Sequence, residues 1–126
     1  MLITADPSDD QPIYRQIVDQ LRQFIAAGTL RAGDALPSVR QLAADLGVNL
    51  NTVATAYREL AGEGLVEIKH GRGALVTADR EQTFDEEQVR RPLVPILSKM
   101  ILAGKTDRQI IALIQEELQN ARGDKT

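Results

Sequence analysis

The sequence predicts a mainly α-helical chain with one small β-hairpin, and three observations carry that prediction. Apolar residues recur at helical spacing in five stretches, with no internal repeat and no low-complexity tract. The second and third of these stretches are separated by a tight turn of about three residues that Gly47 opens, which is the spacing of a helix-turn-helix. Two β-rich stretches then flank His70-Gly71-Arg72-Gly73, as in a hairpin whose turn needs positive φ. The combination is a winged helix-turn-helix over residues 1–78, followed by a C-terminal helical hairpin over residues 79–126.

Each element has its own local warrant. Residues 1–11 are polar and acidic, with Leu2-Ile3-Thr4 as the only strand-like piece. Pro12 takes the first helical position behind Asp10 as cap, and Ile13, Ile17, Leu21 and Phe24-Ile25 form the first apolar stripe, ended by Gly28. Ser38 and Gln41 make an S-x-x-Q capping box for the second helix. Its inward stripe is Val39, Leu42, Ala43 and Leu46, which leaves Arg40, Gln41 and Ala44 outside. Gly47 is expected in the left-handed region, where a Cβ would be strained. Asn49 caps the third helix, whose stripe is Val53, Ala56, Tyr57 and Leu60 and which Gly64 closes. The strands are 65–69 and 74–77. From Ala78 to Arg91 the apolar period nearly stops, although Thr83-Phe84-Asp85-Glu86 reads as a capping box. Pro92 and Pro95 then imply a restart or a kink. Leu93, Ile96, Leu97, Met100 and Ile101 make one apolar face up to Gly104; a Thr106/Gln109 capping box precedes Ile110, Ile111, Ile114 and Leu118.

Composition excludes several functions. With 43% hydrophobic and 26% charged residues the chain can bury a core and is not disordered throughout. Zero Cys removes disulfides, zinc fingers and thiolate catalysis, and one His leaves only carboxylates for metal, with no calcium-loop spacing among them. Neither metal nor cofactor is expected. No aliphatic run approaches the ~20 residues of a membrane span, and Asp6, Asp9 and Asp10 interrupt any signal-peptide pattern. A cytoplasmic protein with no membrane partner is the expectation. Tyr14, Phe24, Tyr57 and Phe84 are the only aromatics, too few for base-stacking single-strand recognition. A net charge of −3 runs against the basic footprint of duplex binders. Residues 1–78 hold seven Lys/Arg against nine Asp/Glu, and residues 79–126 hold eight against nine. A DNA reader of this composition must gather its positive groups on one face.

The helix-turn-helix supplies candidates for that face. Residues that reach base edges lie at the amino-terminal end of the helix in the major groove, here Asn49, Asn51 and Thr52. Asn49 reads as a cap, a contact, or both; Asn51 and Thr52 have side chains suited to base edges. Arg40 faces the same groove edge from the second helix. Ser38, Thr55 and Arg58 are phosphate candidates, with surface pairing to a carboxylate as the other reading of Arg58. Tyr14 reads as packing rather than a phosphate contact. At the wing tip Lys69, His70, Gly71 and Arg72 suit a minor groove, where glycine admits the backbone and Arg meets negative potential. His70 titrates near neutrality and gives DNA binding a route to pH sensitivity. No nucleophile, base and orienter can be placed together, so no catalytic residue is named and the chain does not read as an enzyme. The tail residues Leu93, Ile96, Leu97, Met100, Ile101, Ile110, Ile111, Ile114 and Leu118 either stack on the winged domain or dimerise. Dimerisation is favoured, because it also supplies the symmetry of a palindromic operator.

The stretches Pro12-Ile13-Tyr14, Leu36-Pro37-Ser38-Val39-Arg40-Gln41-Leu42-Ala43, Val48-Asn49 with Asn51-Thr52-Val53, Ala56-Tyr57-Arg58-Glu59-Leu60 and Gly71-Arg72-Gly73 resemble the GntR family of bacterial transcriptional regulators. The opening, the third helix and the short tail are similar to its YtrA-like subgroup. The resemblance implies a dimeric repressor that reads DNA with Arg40, the start of the third helix and the wing, and that often controls membrane-transporter genes. Two positions depart from it: many members carry a basic residue or Pro at the position of Leu50, and some carry Arg at that of Ala54. The expected function is therefore a sequence-specific repressor on a duplex operator, self-associating as a homodimer, with a small-molecule effector unidentified. The alternative is a winged-helix protein-interaction module without specific DNA binding, against which the basic wing tip argues.

Overall fold

Helix α1, Ile13–Ala26, buries Ile17, Val18 and Leu21 completely, because its apolar residues recur on one face. The computed structural model describes residues 2–69, 73–77 and 84–123. In chain order α1 is followed by β1 (Ala35–Leu36), α2 (Val39–Leu46), α3 (Leu50–Gly62), β2 (Val66–Lys69), β3 (Gly73–Val76), α4 (Glu86–Leu102) and α5 (Asp107–Arg122). The fold is mostly helical with a small antiparallel sheet ordered β1-β3-β2, a winged helix-turn-helix with C-terminal helices. The chain divides into two compact units, Met1–Gln82 and Thr83–Thr126.

In the first unit α1, α2 and α3 enclose a core that Ile3, Leu30, Leu36 and the sheet residues Val66, Ala74 and Val76 complete. The stripe Val53, Ala56, Tyr57 and Leu60 is fully buried. Strand β1 has no counterpart in the sequence reading, since two residues carry no alternation; it exists by pairing, with Ala35 opposite Leu75 and Leu36 opposite Ala74. Pro12 is the N-cap of α1 rather than its first residue, and no side chain caps it; Asp9, not Asp10, folds back locally, accepting from the Gln11 N–H.

The Leu2–Thr4 segment is not a strand. The amide of Gln20 pairs with both the N–H and the C=O of Thr4, at 2.9 and 2.7 Å. The amide of Gln16 does the same for Asp6, at 2.9 Å each way. Four residues of helix rise about 6 Å and two residues of extended chain about 6.6 Å, so two glutamines at i and i+4 match peptide groups at i and i+2. These side chains replace a partner strand and seat Ile3 in the core.

In the second unit, of the two expectations at the prolines, a restart or a kink, the restart does not occur. Pro92 and Pro95 both lie inside α4, each removing one ladder hydrogen bond. The helix is capped by Asp85, whose carboxylate accepts from the Glu87 N–H at 3.0 Å; the expected Thr83/Glu86 capping box rests on Thr83, which lies outside the described residues. Gly104 turns the chain at φ 82°, and the Thr106/Gln109 capping box forms in both directions. No described helix is long and apolar enough to cross a membrane.

Candidate nucleic-acid interface

The turn between α2 and α3 is built from its end groups. Gly47 takes φ 68°, and the Val48 N–H reaches the Ala43 carbonyl at 3.0 Å, closing α2 in a left-handed cap. Asn49 Oδ1 then accepts from the Asn51 N–H at 2.7 Å and starts α3. At the head of α2, Ser38 Oγ accepts from the Gln41 N–H at 3.0 Å. The reciprocal bond, from the Ser38 N–H to Gln41 Oε1, is absent, and the Gln41 side chain turns the other way, its Nε2 donating to Asp45 Oδ1 at 2.7 Å.

On α3, Asn51, Thr55 and Arg58 share one face at spacings of four and three, opposite the buried stripe. Thr52 is half-buried on the flank it shares with Glu59. Thr55 Oγ1 donates to the Asn51 carbonyl at 2.7 Å and accepts from Arg58 Nη2 at 3.3 Å. In this arrangement its single proton lies on the helix carbonyl and its oxygen meets the Arg58 head. Among the described residues no carboxylate pairs with Arg58. Glu59 is held by Arg15 through two bonds of 2.9 and 3.2 Å, and Glu63 by Arg22 at 2.9 and 2.8 Å. Glu59 of α3 and Glu63 at its C-cap are thus paired with α1, while Arg40 and Arg58 have no acidic partner among the described residues. Such half-exposed pairs add little stability; their effect is to sort charge by face. Tyr14 packs against the core, with Arg15 over its ring at 5.3 Å.

The wing is organised around a contact that sequence reasoning missed. A Cβ at Gly73 would come 2.9 Å from the Leu36 carbonyl oxygen and 3.1 Å from the Ser38 backbone, at φ 77°. The glycine therefore serves close packing of the wing base on the head of α2. Tyr57 binds the same corner from α3: its buried hydroxyl donates to the Pro37 carbonyl at 2.7 Å, and burial pushes the phenol pKa up, keeping the donor protonated. A tyrosine in a fully buried stripe was the available signal, since its hydroxyl needs a partner there. Ser38, Arg40, the wing base and α3 are thereby fixed to one corner. At the end of β2, Lys69 is not a free cation: its Nζ pairs with Glu67 at 3.0 Å, an exposed bond that a phosphate can replace. His70, Gly71 and Arg72 lie outside the described residues.

In the tail, Leu93, Ile96, Ile101, Ile111, Ile114 and Leu118 are exposed, joined by Val94, Leu102 and Leu113, which the sequence reading did not single out. Ile110 is buried instead, and Leu97 and Met100 are half-buried. Met100 and Ile110 line one cleft of about 270 Å³ with Lys105, Gln109 and Leu113. No group of acidic or His residues suited to a metal occurs among the described residues.

A helix-turn-helix with a wing packed on its second helix, an exposed polar row on the third and its acids turned aside defines a winged-helix DNA-binding protein. The chain belongs to the GntR family of transcriptional regulators: the family model described as "Bacterial regulatory proteins, gntR family" matches residues 13–76. It is 33% identical over 127 residues to the HTH-type transcriptional repressor YtrA of Bacillus subtilis, covering 98% of each chain. Among solved structures, YtrA from Sulfolobus acidocaldarius, a GntR-family transcription factor, is similar with 37% identity and a TM-score of 0.64, over 78% of this chain and 99% of that one. A transcriptional antiterminator from Listeria monocytogenes EGD-e matches with 26% identity and a TM-score of 0.84, over 100% and 96%. Several other curated relatives are longer, and the chain spans 16–20% of their length.

Proposed function

We propose that this regulator is a cytoplasmic repressor that binds a palindromic operator as a homodimer, with residues 1–78 reading DNA and residues 79–126 dimerising. The observation that carries the reading is the open apolar surface of the tail, where α4 buries no residue and α5 only Ile110. A contiguous apolar face of this kind marks an interface, and a two-fold dimer matches a two-fold operator. The full-length similarity to a repressor supports the direction of control. In this reading Asn51 and Arg40 specify bases, with Thr52 beside them. Ser38, Arg58 and Lys69 hold phosphates, Asn49 and Thr55 organise the helix, and His70, Gly71 and Arg72 enter the minor groove. Transporter genes are the proposed targets, by the resemblance to the YtrA-like subgroup. A small effector would find its place in the cleft between Met100 and Leu113, near the lower end of ligand-pocket volumes.

The test is selection of bound fragments from random duplex DNA at near-physiological salt, followed by titration of the winner. A two-fold-symmetric winner that saturates at two chains per duplex is expected. An asymmetric winner saturating at one chain would overturn the dimer.

A further inference from the structure

Leu50 is the first residue of α3, flanked in sequence by Asn49 and Asn51, and its side chain is 43% exposed. It packs neither inside the core nor against it. The apolar work of this helix start is already done: Val48 and Val53 occupy the positions of a hydrophobic staple, and both belong to the core packing. One turn on, Ala54 is too short to cover Leu50, and the neighbours at three and seven residues, Val53 and Tyr57, point inward. A leucine is thus presented at the helix end that reaches base edges. It can neither donate nor accept a hydrogen bond, so it offers nothing to a phosphate. In the major groove the apolar feature of a base edge is the 5-methyl group of thymine.

We propose that Leu50 is a specificity-determining residue that packs on a thymine 5-methyl group beside the base read by Asn51. This rests on the sequence-specific DNA binding proposed above. Asn51 would then read its base while Leu50 separates thymine from cytosine at one position, where a basic side chain would grip the backbone or a guanine instead.

The test starts from the duplex that the full-length protein selects from random-sequence DNA. Each thymine is replaced singly by deoxyuridine, which removes only the methyl group, and both duplexes are titrated with wild type, Leu50→Ala and Leu50→Met. At one thymine per half-site, wild type is expected to lose about fourfold in affinity, the worth of one buried methyl. Leu50→Ala should be indifferent to that replacement, Leu50→Met should retain the discrimination, and both variants should melt with wild type because the side chain is exposed. A winning half-site without thymine, uniform indifference of wild type to deoxyuridine, or a loss that persists in Leu50→Ala overturns the proposal while leaving specific binding intact. Failure to enrich any duplex overturns the reading on which it rests, and this inference with it.

Discussion

The two units use the same kind of amphipathic helix to opposite ends. In the first, the stripe of α3 is sealed completely, with Val53, Ala56, Tyr57 and Leu60 at 0% exposure. In the second, helices of comparable apolar content leave Ile96 55%, Ile101 61% and Ile111 54% exposed. Three helices and a sheet around one core give every stripe a facing surface, whereas two helices in a hairpin can cover only one seam. The lesson is that apolar periodicity specifies a helix face but not what will cover it.

The largest expected effect breaks this contrast at the tail. Ile114→Glu places a charge on the open face, and desolvating it in an interface would cost several kcal/mol. The variant should sediment as a monomer and bind the selected duplex far more weakly, with the first unit still folded. An unchanged dimer would remove that face from the interface. Next is Gly73→Ala, which forces a Cβ against the Leu36 carbonyl at positive φ; a loss of about 2–3 kcal/mol is expected from urea unfolding. If the midpoint holds, the corner between wing and α2 is softer than its geometry implies. Asn51→Ala should reduce preference for the selected over a random duplex by about 1–3 kcal/mol, as for a bidentate base contact. Equal weakening on both duplexes would reassign Asn51 to the backbone. Tyr57→Phe keeps the packing and deletes the bond to Pro37, so its stability cost should be only about 1 kcal/mol. Thermal melting would register that as a shift of a few degrees for a unit this size. No shift would mean that α3 and the head of α2 are held by packing alone.

Much of the interface was legible in local sequence. Gly47, Asn49 and Ser38 carry caps whose partners lie within four residues, so spacing alone places them. The missed features involve partners far along the chain. Tyr57 meets Pro37 across 20 residues, and Gly73 meets Ser38 across 35. The glutamines of α1 reach back 10 and 16 residues to a segment that looked like a strand. The Lys69 pairing was hidden for a related reason: Glu67 is two residues away, and only a strand puts both on one face. The prolines of α4 left a restart and a kink both open in the sequence, because a proline's lost hydrogen bond is a local cost that one continuous helix can absorb.

By itself the sequence determined the helices, the turn between α2 and α3, the hairpin and the family, because periodicity, capping and turn chemistry act over a few residues. Tertiary structure alone decided that Glu59 and the C-cap residue Glu63 turn toward Arg15 and Arg22, away from the row of Asn51, Thr55 and Arg58. It alone packed the wing base on Ser38, created β1, and left Leu50 exposed while Val48 closed the turn. These outcomes depend on which faces meet in space, and a pattern read along one chain records only which faces exist.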